Sequence, residues 1–86
     1  MANITIYTTR TCGFCYVAKS LLTKKGLSYE EIDVSGDPAA RQRMMLRTKG
    51  RCSVPQIFIG GTHVGGNEEL YELERRGGLD QLLMPT

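Results

Sequence analysis

Ile4-Thr5-Ile6-Tyr7-Thr8-Thr9-Arg10-Thr11-Cys12-Gly13-Phe14-Cys15-Tyr16-Val17-Ala18-Lys19-Ser20-Leu21-Leu22 changes its apolar rhythm partway along. Ile4 and Ile6 alternate with Thr5 and Tyr7, the period of two expected of a strand over Asn3 to Thr8. From Phe14 the rhythm becomes i, i+3, i+4, i+7, i+8 through Val17, Ala18, Leu21 and Leu22, which buries one face of a helix. Thr11 offers that helix an N-cap hydroxyl. Lys24 and Lys25 suit its negative carbonyl end, and Gly26 can take the left-handed conformation that closes it.

Downstream, Leu27 to Val34 supplies a second strand, with Tyr29, Ile32 and Val34 as its main apolar residues. Asp37-Pro38 reads as an N-cap followed by an N1 proline, opening a helix over Pro38 to Thr48. Its apolar face is thin (Ala40, Met44, Met45), so the helix is expected to be largely solvated, and Gly50 ends it. Val54 to Ile59 is a third strand, Gly60-Gly61 a hairpin turn, and Thr62 to Val64 a short fourth strand. Gly65-Gly66 breaks it. A last helix starts near Asn67 with Glu68 and Glu69 at its positive end, and Leu79, Leu82 and Leu83 close the core.

The order is β-α-β-α-β-β-α. The βαβ unit implies a parallel strand pair and the hairpin an antiparallel one, so the expected fold is α/β, a four-stranded mixed sheet flanked by helices. With 86 residues and no linker or repeat, residues 1–86 are expected to form one domain. No run of about 18 apolar residues is present, which excludes a membrane-spanning helix. Residues Met1 to Thr8 lack a basic segment followed by an apolar one, so no secretory signal is expected. Eleven basic residues against nine acidic ones leave +2, too mild to require nucleic acid. Three cysteines, an odd and sparse number, argue against an extracellular disulfide framework and for the cytoplasm.

Cys12-Gly13-Phe14-Cys15 lies where the first strand meets the first helix. Three positions is almost one helical turn, so both sulfurs share a face and can approach bonding distance. The first turn leaves backbone N–H groups without partners and carries the positive end of the dipole, which stabilises a thiolate at Cys12. Thiolate is the attacking form in disulfide exchange, and Cys15, deeper in the helix, is suited to resolve a mixed disulfide formed at Cys12. After a strand and within βαβ, the spacing reads as a thioredoxin-type redox motif. The competing reading is a zinc site joining Cys12 and Cys15 to Cys52 and His63, two distant single ligands that would have to converge.

Cys12-Gly13-Phe14-Cys15, Ser53-Val54-Pro55-Gln56 and Gly65-Gly66-Asn67-Glu68, in this order and spacing, resemble the glutaredoxins, and small bacterial dithiol members in particular. The resemblance extends through Leu70-Tyr71 and Arg76-Gly77-Gly78-Leu79-Asp80. It implies a thioredoxin fold, a cis peptide at Pro55, and glutathione as cosubstrate in the reduction of protein disulfides and glutathione–protein mixed disulfides. It further implies that Val54 pairs its backbone with the cysteinyl part of glutathione, as an added strand pairs with a sheet edge. Gly66, Asn67 and Glu68 would hold the γ-glutamyl end, with helix N–H groups on its carboxylate and Glu68 or Glu69 facing its ammonium. Gln42 would help hold the glycyl carboxylate, and Phe14, Pro55 and Arg10 would complete the glutathione site. Thr9 stands where the family usually has Lys or Arg, so Arg10, one step later, is the candidate cation.

Gly13-Phe14 in place of Pro-Tyr resembles the monothiol, cluster-carrying branch, although that branch has Ser at the position of Cys15. The alternative function is therefore a [2Fe–2S] carrier, with Cys12 from each of two chains and two glutathiones as ligands. Otherwise no metal is expected and the protein is expected to be a monomer. Arg41, Arg43, Arg47, Lys49 and Arg51 form a basic run without aromatic residues, read as a solvated face that draws in anionic glutathione or acidic partners. Cys52 reads as a packing or loop thiol, with regulatory glutathionylation as the alternative. His63 reads as a surface residue, and Tyr7 and Tyr29 as sheet residues whose hydroxyls reach water.

Overall fold

The computed structural model describes residues 3–83 and orders them as β1 (Ile4–Thr8), α1 (Gly13–Lys24), β2 (Glu30–Asp33), α2 (Pro38–Arg47), β3 (Gln56–Ile59), β4 (Thr62–Gly65), α3 (Asn67–Arg75) and α4 (Gly78–Leu83). The strands lie in the order β2-β1-β3-β4. β1 runs parallel to β2 and antiparallel to β3, and β3 pairs antiparallel with β4. This is the thioredoxin-fold sheet expected from one βαβ crossover and one hairpin.

Alternation along the central strands divides the apolar side chains between two layers. Ile4, Ile6, Ile57 and Ile59 meet Ala18, Leu21 and Leu22 of α1, Leu70 of α3, and Leu79 and Leu83 of α4. Tyr7 and Phe58 point the other way, onto Ala40 and Met44 of α2. The thin face of α2 is therefore fully used, while most of its remaining residues are exposed. Asp37 caps α2 as expected, its carboxylate accepting the Ala40 N–H at 3.0 Å.

Several ends shift by one residue, and three larger differences from the expected boundaries have a physical reason. β2 begins at Glu30 rather than Leu27, because the Leu27 N–H is taken by Leu22 O at 3.0 Å in closing α1. β3 begins at Gln56 rather than Val54, since Pro55 has no N–H to give a ladder. The last helical stretch is two helices, parted at Gly77, which adopts φ +76°. A side chain at Gly78 would collide with Leu73 (ideal Cβ to Cδ1 2.5 Å), so glycine lets α4 close against α3. Lys25, at the end of α1, ties that corner by reaching Glu74 at 2.9 Å and Asp80 at 3.0 Å. Among the described residues no helix is long and apolar enough to cross a membrane.

Candidate thiol redox site

The chain leaves β1 at Thr8, turns through Arg10 and Thr11, and enters α1 at Gly13. Cys12 N–H donates to Thr9 O at 3.4 Å across this turn, which brings Cys12, not the expected Thr11, to the N-cap position. There its sulfur does what a serine oxygen does in an ordinary cap: Cys12 Sγ accepts the Cys15 N–H at 3.3 Å. The positive helix end and this N–H both face the sulfur. In its thiol form Cys12 donates to Val54 O at 3.6 Å.

The second sulfur is in a different environment. Cys15 is 1% exposed, and its thiol is pushed up to about 12, chiefly by burial and then by its contact with Cys12. Cys12 is only half-buried, and both thiols are free. One accessible sulfur at a helix start and one buried sulfur a turn deeper is the asymmetry expected of an attacking and a resolving thiol.

Beside Cys12 lies a cleft of about 200 Å³. Phe14, Val54, Pro55, Gly66, Asn67 and Glu68, all named from the sequence as ligand-holding residues, line it. Arg51, Ser53 and Glu69 complete the lining. The Val54–Pro55 peptide is cis, as the resemblance implied. Arg10 and Gln42 do not line the cleft: Arg10 is exposed and turns toward Asp33 at 3.9 Å, and Gln42 lies on the exposed side of α2. In the sequence Arg51 stands out only for its charge, as part of the basic run from Arg41. Its position two residues before Ser53 was the available signal for a role beside the thiol. A larger hollow of about 850 Å³ follows α3 from Asn67 to Arg76 and shares only Asn67, Glu68 and Glu69 with the cleft.

The start of α3 forms one wall of the cleft. Glu69 folds back so that its carboxylate accepts the Gly66 N–H, and Arg51 Nη2 approaches the same oxygen at 3.5 Å. The Gly66 hydrogen bond is the main reason the Glu69 carboxyl lies below the usual carboxylate range. Among the described residues Glu68 makes no ion pair, and the buried Asn67 Oδ1 has no hydrogen-bond partner.

The proposed zinc set does not assemble, for among the described residues no three His, Cys, Asp or Glu side chains converge on a metal. Cys52 is an exposed loop thiol. His63 is half-buried rather than a free surface residue, stacked on Phe58 with centroids 4.8 Å apart. The Tyr7 hydroxyl does not turn to water. It accepts from Arg47 Nη1 at 2.8 Å, because α2 covers that face of the sheet.

The glutaredoxin family model matches residues 4–64. Glutaredoxin 3 of Escherichia coli K12 is 52% identical over 83 residues, spanning 96% of this chain and 99% of its own. The solution structure of a Brucella melitensis glutaredoxin superposes with a TM-score of 0.84 at 49% identity, covering 96% of this chain and 89% of that one. A buckwheat glutaredoxin–glutathione complex reaches a TM-score of 0.85 at 28% identity, over 95% of this chain and 76% of that one. With these matches, its cysteine pair at a helix start and its mixed sheet, the chain belongs to the glutaredoxin family, the glutathione-dependent thiol–disulfide oxidoreductases.

Proposed function

We propose that Cys12 alone reduces glutathione–protein mixed disulfides and that Cys12 and Cys15 together reduce protein disulfides. In the first route the Cys12 thiolate attacks the glutathione sulfur of the mixed disulfide. That S–S bond breaks, and the protein thiolate leaves and takes up a proton. A second glutathione thiolate then attacks the Cys12-bound glutathione, releasing oxidised glutathione and restoring Cys12. In the second route Cys12 forms a mixed disulfide with the substrate protein. Cys15 loses its proton, displaces the substrate thiolate and closes the Cys12–Cys15 bond, which two glutathiones reopen.

The observation that carries this proposal is the unequal placement of the two sulfurs, one half-exposed and bonded by an amide, one buried. The cleft supports glutathione as the ligand. Val54 offers an unladdered backbone beside Cys12, and the start of α3 offers N–H groups for the γ-glutamyl carboxylate. The unpartnered Asn67 Oδ1 and the free Glu68 carboxylate are acceptors suited to the γ-glutamyl ammonium. Arg51, which lines the cleft, is better placed for a carboxylate than Arg10 or Gln42, which do not line it. We place this chemistry in the cytoplasm, in a monomer of one domain, acting on disulfide-bearing and glutathionylated proteins.

A glutathione-ligated [2Fe–2S] cluster would find one accessible thiolate donor in the pair, Cys12, because Cys15 is buried. Anaerobic purification with glutathione separates the two functions. A colourless monomer that turns over glutathionylated substrate supports the oxidoreductase, and a coloured dimer inactive toward that substrate overturns it.

A further inference from the structure

Three consecutive carbonyls between α2 and β3 are each gripped by a side chain. Thr48 Oγ1 donates to Arg51 O at 2.7 Å, Arg41 Nη1 to Cys52 O at 2.8 Å, and Gln56 Nε2 to Ser53 O at 3.0 Å. The next carbonyl in line, that of Val54, is the one that faces Cys12 Sγ. Residues 51–54 belong to no helix or strand, so these side chains do what a backbone ladder does elsewhere.

Two of the three grips come from buried polar groups. Thr48 is 2% exposed and Gln56 0% exposed, positions that disfavour polar side chains unless they are fully bonded. Gln56 is fully bonded. Its Nε2 also reaches Ser53 Oγ at 3.2 Å, and its Oε1 meets His63 Nε2 at 2.7 Å. A carbonyl can only accept, so the Gln56 nitrogen faces Ser53, its oxygen faces His63, and His63 carries its proton on Nε2.

We propose that Arg41, Thr48 and Gln56, the last oriented by His63, are positioning residues that preset the Ser53–Val54 backbone for glutathione. This rests on the role of Val54 as the docking segment. A loop already held in its bound shape loses less entropy on binding, so the grips act on glutathione affinity and leave the sulfur chemistry alone. Arg41, part of the basic run in the sequence, is on this account a brace rather than a steering charge.

The test combines Gln56→Met, Arg41→Met and Arg41→Lys with steady-state kinetics in glutathione and with the Val54 amide resonance. Both methionine variants are expected to raise KM for glutathione about threefold to tenfold, the scale of one net hydrogen bond, with kcat within about twofold of wild type. Arg41→Lys, which keeps a donor, restores most of the loss. The Arg41→Met effect persists at about 0.5 M salt, where exposed charges are largely screened. A rise that vanishes at that salt makes Arg41 a steering charge and overturns the inference for it. An unchanged KM in folded Gln56→Met overturns the inference for Gln56. Should Gln56→Met not fold, His63→Ala, which frees the Gln56 amide, carries the same expectation and the same refutation. Titrating glutathione into the wild-type protein tests the foundation separately. If the Val54 resonance does not move, the docking role falls and the inference with it, whatever the variants do.

Discussion

The Cys15 backbone N–H reaches Cys12 Sγ at 3.3 Å while the Cys15 thiol stays 1% exposed. One residue thus serves the pair twice: its amide supports the attacking sulfur, and its side chain waits as the resolving one. Only the second service depends on residue type, because any residue but proline supplies the amide.

Cys15→Ser is therefore expected to retain reduction of glutathione–protein mixed disulfides at a rate within severalfold of wild type, about 1 kcal/mol of barrier at most. It should lose the ability to form an intramolecular disulfide with protein substrates. Cys12→Ser should abolish both activities. Parallel assays with a glutathionylated protein and a protein disulfide check this. Equal loss of both activities in Cys15→Ser would mean that the two roles are not divided as stated.

Glu68 and Glu69 stand side by side at the start of α3 and are expected to differ in what they do. Glu69 is engaged by the Gly66 N–H, which lowers its carboxyl, so its stabilising contribution is present above its ordinary value of 4.5 and fades as pH falls through the folded-state value. The melting temperature of Glu69→Gln should accordingly lie below wild type near neutrality, with the gap closing in acid. Glu68→Ala should leave the melting temperature alone and raise KM for glutathione. Identical behaviour of the two variants in both measurements would contradict the assignment.

Much of this site was legible because it follows from local spacing. The change of period between Tyr7 and Phe14 located the strand–helix junction, and the cysteines three apart fell on it. What stayed hidden depended on contacts between segments distant in the chain. Thr11 looked like the cap because hydroxyls usually serve, and only the turn at Arg10 and Thr11 brings the Cys12 sulfur to that position. Arg41 and Arg47 read as surface charge, yet one grips Cys52 O and the other the Tyr7 hydroxyl, contacts 11 and 40 residues away. The break at Gly77 was missed because two adjacent glycines do not reveal which one bends and which one packs. The alternation of β1 was easy to see, but the division of the apolar residues of β1 and β3 between two helical layers required the register.

Met44 anchors α2 by little more than itself. It is fully buried, and with Ala40 it is one of two buried residues in that helix. Met44→Ala is expected to destabilise the protein by about 2–5 kcal/mol, whereas the volume-conserving Met44→Leu should cost less than about 1.5 kcal/mol. Because α2 carries Arg41 and is followed by Thr48, residual folded Met44→Ala protein should also bind glutathione more weakly. Urea unfolding and a glutathione titration of the same samples check both statements. An alanine variant as stable as the leucine one would show that α2 is held by its polar contacts instead.

The resolving step should depend on pH in a direction set by burial. Desolvation is the first cause of the rise of the Cys15 thiol from 9.0 to about 12, and it persists when Cys12 is tied up in a mixed disulfide with substrate. Near neutral pH the attacking thiolate of this step is therefore scarce, and its fraction grows about tenfold per pH unit. Single-turnover closure of the Cys12–Cys15 bond, followed from a preformed mixed disulfide, should accelerate steadily between about pH 6 and 9. A single turnover of Cys15→Ser with a glutathionylated protein, run without added glutathione, contains no Cys15 deprotonation and should not share this slope. The same shift acts on stability. Between 9.0 and about 12 the unfolded chain has lost a Cys15 proton that the folded protein retains, so stability falls as pH rises through that window. Cys15→Ser should lack this part of the alkaline loss. Closure independent of pH over that lower range would mean that Cys15 is deprotonated by a neighbour before it attacks, and burial would no longer set the rate.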